Sequence, residues 1–534
     1  MLSRQLPHSE FQLNSTQVLQ KTLLFLFAAV IFAPFSVLLV ELVKSILSGH
    51  SDWLLLVLPL GRRFGLLANS LMLAFSVSLS GMLLGVLAAL FLWRDKTGMK
   101  KYLSWFVFLF IGMPPYIHAL TWSSVLNYVR IFPQQGLLIS WWVQLMAYLP
   151  LAVGLSLIGL DSVEHKLIDA SRMMRNDFST LKQVIWPHAK PVILAAGGFL
   201  FLVVSSDYSI PSLFSVNVYA LDIFAEFSAT NEPVRVLLLS APLLLIAVLI
   251  IVFSCGTIRR AALSLTRSKV KERGFFNLPE WLVWGQKIAM FIVLLQILVM
   301  LSNLIVSAGS LKNIILSTIT AKDEIFFSFY TAGGAALLCL PLAIAVAHEL
   351  ARAEKRKLFW WFLLILPIVT PGSIIGVGLL IGVTKYGLNF LYSTVWMPVL
   401  ANVIQFTPLA AIVILAKLRR TDQLLMDASN IHQKGFVDGI RRVYLPMMGP
   451  GLLGAACLVF IFSLRELSAT IIVAPPGHTT ITTRIYNYLH YGGSEQVAGL
   501  CLVLAFIFLI MGVLCIVLFS KGSILFRKKG AVYD

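Results

Sequence analysis

The feature that most constrains this chain is a succession of apolar runs, each about as long as a helix that crosses a bilayer. Roughly 30 Å of hydrocarbon takes about 20 residues of helix. Such runs fall at residues 22–47, 65–93, 102–124, 137–160, 191–213, 235–257, 286–307, 326–350, 358–383, 395–416, 450–474 and 497–520. Hydrophobic residues make up 58% of the chain and charged ones only 12%, and so much apolar surface cannot all be hidden in water-soluble cores. In lipid the backbone must satisfy its own polar groups, which favours helices. The sequence therefore predicts an all-α polytopic membrane protein with about twelve transmembrane helices. The first run is longer than a secretion-signal core and no clear cleavage site follows it, so it is read as a retained helix.

The net charge of +18 sits in short clusters between these runs. Arg94, Lys96, Lys100 and Lys101 follow the second run; Arg259, Arg260, Arg267, Lys269, Lys271 and Arg273 follow the sixth. Arg352, Lys355, Arg356 and Lys357 follow the eighth, and Lys521, Arg527, Lys528 and Lys529 the last. All four clusters fall on one side of the membrane, which the positive-inside rule makes cytoplasmic. Both termini are expected on that side of the cell inner membrane. The clusters are spaced by topology, so no nucleic-acid partner is read from them. Cys255, Cys339, Cys457, Cys501 and Cys515 all lie inside apolar runs without metal-ligand spacing, and suggest neither a disulfide framework nor a zinc site.

The chain repeats itself. Pro150 matches Pro408 and Asp169 matches Asp427, both at an offset of 258, and Arg94 matches Arg352. Pro187 matches Pro446 at 259, so one residue has been inserted between. Two direct repeats of six spans each follow. An even number of spans gives both repeats the same orientation, about a pseudo-twofold axis along the membrane normal. The expected order is a cytoplasmic segment 1–21, a first repeat 22–257, a cytoplasmic linker 258–285, a second repeat 286–520 and a cytoplasmic tail 521–534. The linker carries an apolar cluster, Trp281 to Trp284, suited to the membrane interface.

Each repeat has a long loop between its fourth and fifth spans, Asp161 to Lys190 and Lys417 to Gly449. Loops of this length in a compact bundle are usually functional. In the second, Leu424, Leu425, Ala428, Ile431 and His432 fall on one helical face. Asp427-Ala428-Ser429, followed at nineteen residues by Leu445-Pro446, resembles the EAA loop of type I ABC importer permeases. The first copy, Asp169-Ala170-Ser171 to Trp186-Pro187, is one residue shorter. Asp replaces the motif's Glu in both copies, and Arg175 and Gln433 stand in the place of its glycine.

A second stretch narrows the resemblance. Arg465-Glu466-Leu467-Ser468-Ala469-Thr470, Pro475-Pro476-Gly477 and Thr483-Arg484-Ile485-Tyr486-Asn487-Tyr488 resemble the fused two-repeat permeases of the ferric-iron type, which are related to thiamine and phosphonate permeases. The resemblance implies a MetI-like fold with cores at about 65–257 and 326–520. It implies coupling helices in which Asp169, Ala170, Ser171 and Pro187, and Asp427, Ala428, Ser429 and Pro446, meet two copies of a cytoplasmic ATPase. That partner would hold ATP and Mg, this chain would bind no cofactor, and a periplasmic or lipoprotein binding protein would deliver the substrate.

Asp207 and Glu466 stand at equivalent places, offset 259, about sixteen residues into the fifth and eleventh spans. An acid in hydrocarbon costs a few kcal/mol on insertion scales, so it usually faces a cavity or a partner. With Arg465 they are candidate pathway residues; holding the helices together is the other reading. Asp169 and Asp427 likewise either anchor a partner or cap surface helices. Arg465 and Glu466 are adjacent and point apart on a helix, so they are not expected to pair. Prolines and glycines at Pro114, Pro115, Pro367, Pro371, Gly372, Gly376 and Gly378 are expected to break helices near a pathway. His118 is read as packing more readily than as an iron ligand, and Trp141, Trp142, Trp360 and Trp361 as interfacial belt residues. No G-x-x-x-x-G-K-[ST] loop, metalloprotease motif or nucleophile elbow occurs. The chain is thus expected to be no enzyme, and a twelve-span secondary transporter is the rival class. A cysteine placed at Val270 in the linker should resist a membrane-impermeant thiol reagent in intact cells and react once the membrane is opened; labelling in intact cells would refute the topology.

Overall fold

The computed structural model describes residues 7–49, 57–94, 98–129, 133–230, 232–264, 276–352, 357–420, 445–491 and 494–530. All regular structure among them is helical. The first half comprises α1 (Pro7–Leu47), α2 (Arg62–Trp93), α3 (Gly98–Leu109), α4 (Pro115–Val129) and α5 (Leu137–Asp161). It continues with α6 (His165–Met174), α7 (Asp177–Thr180), α8 (Trp186–Ser205), α9 (Ser209–Leu213), α10 (Tyr219–Thr230) and α11 (Pro233–Ser264). The second half holds α12 (Glu280–Ala308), α13 (Leu311–Thr320), α14 (Lys322–Arg352), α15 (Lys357–Val369), α16 (Gly372–Lys385) and α17 (Trp396–Arg420). After residues 421–444 come α18 (Leu445–Arg465), α19 (Thr470–Val473), α20 (Ile481–Tyr491) and α21 (Ser494–Gly530).

Ten of these helical stretches are long and apolar enough to cross a membrane. The third and ninth apolar runs are not straight spans. The pairs α3–α4 and α15–α16 pass only together, and they bend by 98° and 99°. Proline explains the bends: it has no N–H and pushes the residue before it out of helical geometry. Pro114 and Pro115 follow the first break, and Pro371 closes the second. Gly372, Gly376 and Gly378 do not break α16, which is continuous through all three.

The long helices close up through small residues. One face of α2 buries Ser70, Ala74, Gly81, Gly85 and Ala88. A Cβ on Gly85 would lie 2.8 Å from the backbone of Ala152 in α5. In the second half α14 buries Ala332, Ala336, Cys339, Ala343 and Ala347. Apolar chains give membrane helices no hydrophobic drive to associate, so close backbone approach and dispersion must hold them.

Packing does not follow the sequence division. The first helix of each half lies on the other half: α1 packs on α14 and α16, and α12 on α2 and α4. Phe27 and Ile31 of α1 share a core with Ala343 and Val346, and Val293 and Ile297 of α12 share one with Ala88 and Ile117. Gly378 makes the first exchange possible, since a Cβ there would meet the Pro34 carbonyl oxygen at 2.6 Å. Near the end of α1, Glu41 is 7% exposed and accepts from Lys385 Nζ at 2.6 Å and Tyr386 Oη at 3.2 Å. The end of the bundle that carries α6 and α7 is called here the loop end, and the opposite one the far end.

Trp361 differs from its expected belt role: it is 2% exposed, and its neighbours in the second-half core supply enough apolar contact to take it inside, which sequence alone does not register. Trp141, Trp142 and Trp360 are half-buried, and Trp142 packs edge-on against Trp122 at 5.5 Å. Trp281 and Trp284 are exposed. Gly378→Ala is expected to cost about 1–3 kcal/mol through overpacking against α1. Gly333→Ala, with open space around it, should be neutral or stabilising by up to about 1 kcal/mol. Thermal unfolding in detergent, run on both variants, compares them; equal midpoints would remove the close approach as a stabilising contact.

Candidate translocation cavity and docking loop

A cavity of about 1090 Å³ lies between the halves. Its walls are mostly apolar: Trp105, Phe108, Phe199, Phe406 and Phe462 among others. Trp93 and Asp161 line it near the loop end, while Asp207, Arg465 and Glu466 line it at the other end of α8 and α18. All three candidate pathway residues therefore share one cavity.

The two acids do not stand within helices, as the span boundaries implied. α8 ends at Ser205 and α18 at Arg465, and each acid occupies the turn that leads into a short helix. Asp207 Oδ1 accepts from the Ser209 backbone N–H at 2.9 Å and from Ser209 Oγ at 2.6 Å, and its Oδ2 from Tyr148 Oη at 3.1 Å. Glu466 Oε1 accepts from the Ala469 N–H at 2.7 Å. These carboxylates satisfy donors that an interrupted helix leaves without partners. Aspartate bonds two residues on and glutamate three, as the extra methylene permits. Gly372 and Gly376 let α16 sit against the second turn: a Cβ on Gly372 would lie 2.9 Å from Glu466 Oε1.

Arg465 has a different partner from its neighbour. Its Nη1 donates to the Ile111 carbonyl at 2.8 Å, and its guanidinium lies 5.1 Å from the Phe462 ring centroid. Ile111 precedes Pro115 by four residues, so in a continuous helix its carbonyl would be the acceptor that Pro115, lacking an N–H, cannot serve. A side chain of the second half thus fills a vacancy made by a proline bend in the first. Beyond the cavity, at the far end, the halves meet again. Tyr486 of α20 packs edge-on against Tyr208 at 6.3 Å, and its hydroxyl lies 3.4 Å from Ser212 Oγ. His118 is fully buried, and neither ring nitrogen has a hydrogen-bond partner. Among the described residues no group of three or more His, Cys, Asp or Glu is placed to hold a metal ion.

At the loop end, α6 carries Asp169, Ala170 and Ser171. Ile168 is buried beneath it, and Ser171 Oγ lies 3.0 Å from Thr180 Oγ1, which ties α6 to α7. The opposite face is bare. Ala170 is exposed, Leu167 is 44% exposed, and Met173 and Met174 are each 88% exposed. Leu167, Ala170 and Met174 follow helical spacing on one face. Pro187 is exposed in the first turn of α8. Asp427, Ala428 and Ser429 lie outside the described residues, and Pro446 lies in the first turn of α18 without a described side chain. Sequence reasoning missed Met173 and Met174. The signal was present, since the face read in the second loop, Leu424, Leu425, Ala428, Ile431 and His432, falls at offset 258 on Lys166, Leu167, Ala170, Met173 and Met174.

A helical bundle around a central cavity, with an exposed apolar helix at one end, is an arrangement suited to a transport permease. The chain is 24% identical over 437 residues to the Fe(3+)-transport system permease protein FbpB 2 of Haemophilus influenzae, covering 79% of this chain and 84% of that protein. It is also 24% identical over 192 residues to PhnV of Salmonella typhimurium, named provisionally as a 2-aminoethylphosphonate transport system permease protein; 36% of this chain and 72% of PhnV are covered. No family model matches the chain. The chain is therefore a relative of ABC permeases of the ferric type, related in turn to phosphonate permeases.

Glu466→Ala should lower stability by about 1 kcal/mol, the usual value of such a cap, while Glu466→Gln, which keeps an acceptor oxygen, should hold it. Arg465→Ala should cost about 1–3 kcal/mol because it leaves the Ile111 carbonyl unpaired. Unfolding midpoints in detergent give all three; an equal loss in Gln and Ala variants at position 466 would contradict the capping role.

Proposed function

We propose that this chain is the membrane permease of a binding-protein-dependent importer with ferric iron as its substrate. The observation that carries the reading is α6: a helix at the loop end, anchored by Ile168 on one face and bare on Leu167, Ala170, Met173 and Met174 on the other. An exposed apolar patch of this kind suits a partner's groove. In this reading Asp169, Ala170, Ser171 and Pro187 form one contact with a cytoplasmic ATPase subunit, and Asp427, Ala428, Ser429 and Pro446 form the other. Two ATPase copies hold ATP and Mg and hydrolyse the ATP, and this chain binds no cofactor itself. The termini, the linker 258–285 and both docking loops are cytoplasmic, on the strength of the lysine and arginine clusters.

A periplasmic or lipoprotein binding protein delivers substrate at the far end. ATP binding draws the two docking helices together, and the repeats 22–257 and 286–520 rock so that the cavity opens alternately to each side. The contact of Tyr486 with Tyr208 and Ser212 supports a state closed at the far end. The similarity to FbpB 2, named for Fe(3+) transport, favours ferric iron. The similarity to PhnV favours a phosphonate as the second reading.

The test is uptake by proteoliposomes that hold the permease, its ATPase and its binding protein. Radiolabelled ferric iron should accumulate and 2-aminoethylphosphonate should not; the reverse result would assign the second substrate. Ala170→Arg, Met174→Glu and Ala428→Arg should each reduce ATPase co-purification about tenfold or more, the scale of burying one unpaired charge in a contact. Membrane insertion should be unchanged. Normal association in all three variants would return α6 to an ordinary solvated loop.

A further inference from the structure

We infer that the segment joining the two halves, from Phe276 to Trp284, is a clamp that makes the first docking loop and α12 one rigid unit. The inference rests on the reading that α6 receives the ATPase, and it gives the linker a mechanical role beyond joining the repeats.

The contacts converge on Asp177 at the start of α7. Its Oδ1 accepts from Arg172 Nε at 2.8 Å and its Oδ2 from Arg172 Nη2 at 3.4 Å, so it holds the last turn of α6. The same Oδ2 accepts from the Asn277 backbone N–H at 2.6 Å, which holds the linker. Charge-assisted bonds of this kind are about twice as strong as neutral ones. The Arg172 guanidinium also lies 4.4 Å from the centroid of Phe276, sandwiching the linker ring against the docking loop. Phe276 is 1% exposed and meets Trp93, at the end of α2, with ring centroids 5.5 Å apart. One residue along α7, Phe178 packs edge-on against Trp281 in the first turn of α12, at 6.2 Å.

Beneath these polar contacts lies one apolar cluster. It combines Ile168 of α6, Leu181 and Ile185 from the turn before α8, Phe276 and Leu278 of the linker and Leu282 of α12. A loop held only by its own chain ends could tilt alone when pushed. Here a displacement of α6 must carry Phe276, and with it α12. That helix belongs by sequence to the second half yet packs on α2 and α4 of the first. The clamp thus routes force from one docking helix into a helix at the boundary of the two halves.

The test uses the full chain in proteoliposomes with ATPase and binding protein, reading substrate transported per ATP hydrolysed alongside the amount of ATPase bound. Asp177→Asn and Asn277→Pro, which weaken or remove the bonds to the linker, should keep the ATPase bound but lose about tenfold in that ratio, the scale of one charge-assisted hydrogen bond. Asn277→Ala keeps the backbone N–H and should match the unmodified chain. Phe178→Cys with Trp281→Cys, bridged by a short bis-maleimide, should transport normally and should restore the ratio when combined with Asp177→Asn. A bridge that stops transport would show that α7 and α12 must move apart, and would overturn the clamp. Normal coupling in both Asp177→Asn and Asn277→Pro would overturn it as well. Failure of the unmodified chain to bind ATPase would instead overturn the docking reading on which the clamp rests.

Discussion

Interrupting a helix inside hydrocarbon leaves backbone groups that water cannot reach, and the cavity of this protein depends on how those interruptions are satisfied. A lost hydrogen bond at depth costs several kcal/mol, so irregular backbone survives there only where protein supplies partners. At the ends of α8 and α18 the partners are Asp207 and Glu466, each folding back on the turn that follows it. At the α3–α4 bend the partner is Arg465, reaching across from the other half to the Ile111 carbonyl. These side chains meet backbone groups that the breaks leave without partners, and all three also line the cavity wall.

The exchange of first helices gives the two halves a shared mechanical fate. With α1 lodged on α14 and α16, and α12 on α2 and α4, neither half can shift without moving a helix of the other. Glycine and alanine make this lodging close, and the Glu41, Lys385 and Tyr386 group fixes it near the far end with charge-assisted bonds. Interlocked packing of this kind favours rocking of intact units over sliding of single helices, because packed cores move between discrete arrangements rather than deforming continuously.

The loop of α6 and α7 shows how one short helix can be anchored on one face and bare on the other. In α6 the residue that anchors it, Ile168, lies between the exposed Leu167 and Ala170 in sequence, and only the 100° step of the helix separates them in space. Thr180, buried, and Ser171 close the loop on the first side, and the linker closes it on the second.

Run length, charge clusters and the 258-residue offset determined by themselves that this chain is a helical membrane protein built from two repeats, because the bilayer's thickness and the period of the helix act on local sequence. The same local rules located the loop of Asp169 and Ala170, and the pairing of Asp207 with Glu466. Only the tertiary structure decided that the third and ninth runs bend, that Asp207 and Glu466 cap turns beyond their helices, and that Gly376 and Gly378 are contact points in an unbroken helix. It alone decided that Arg465 serves Ile111, 354 residues away in sequence, and that Phe276 and Leu278 share a core with Ile168 of α6. A side chain's duty is set by which backbone atom lacks a partner nearby, and that is known only once distant segments have been brought together.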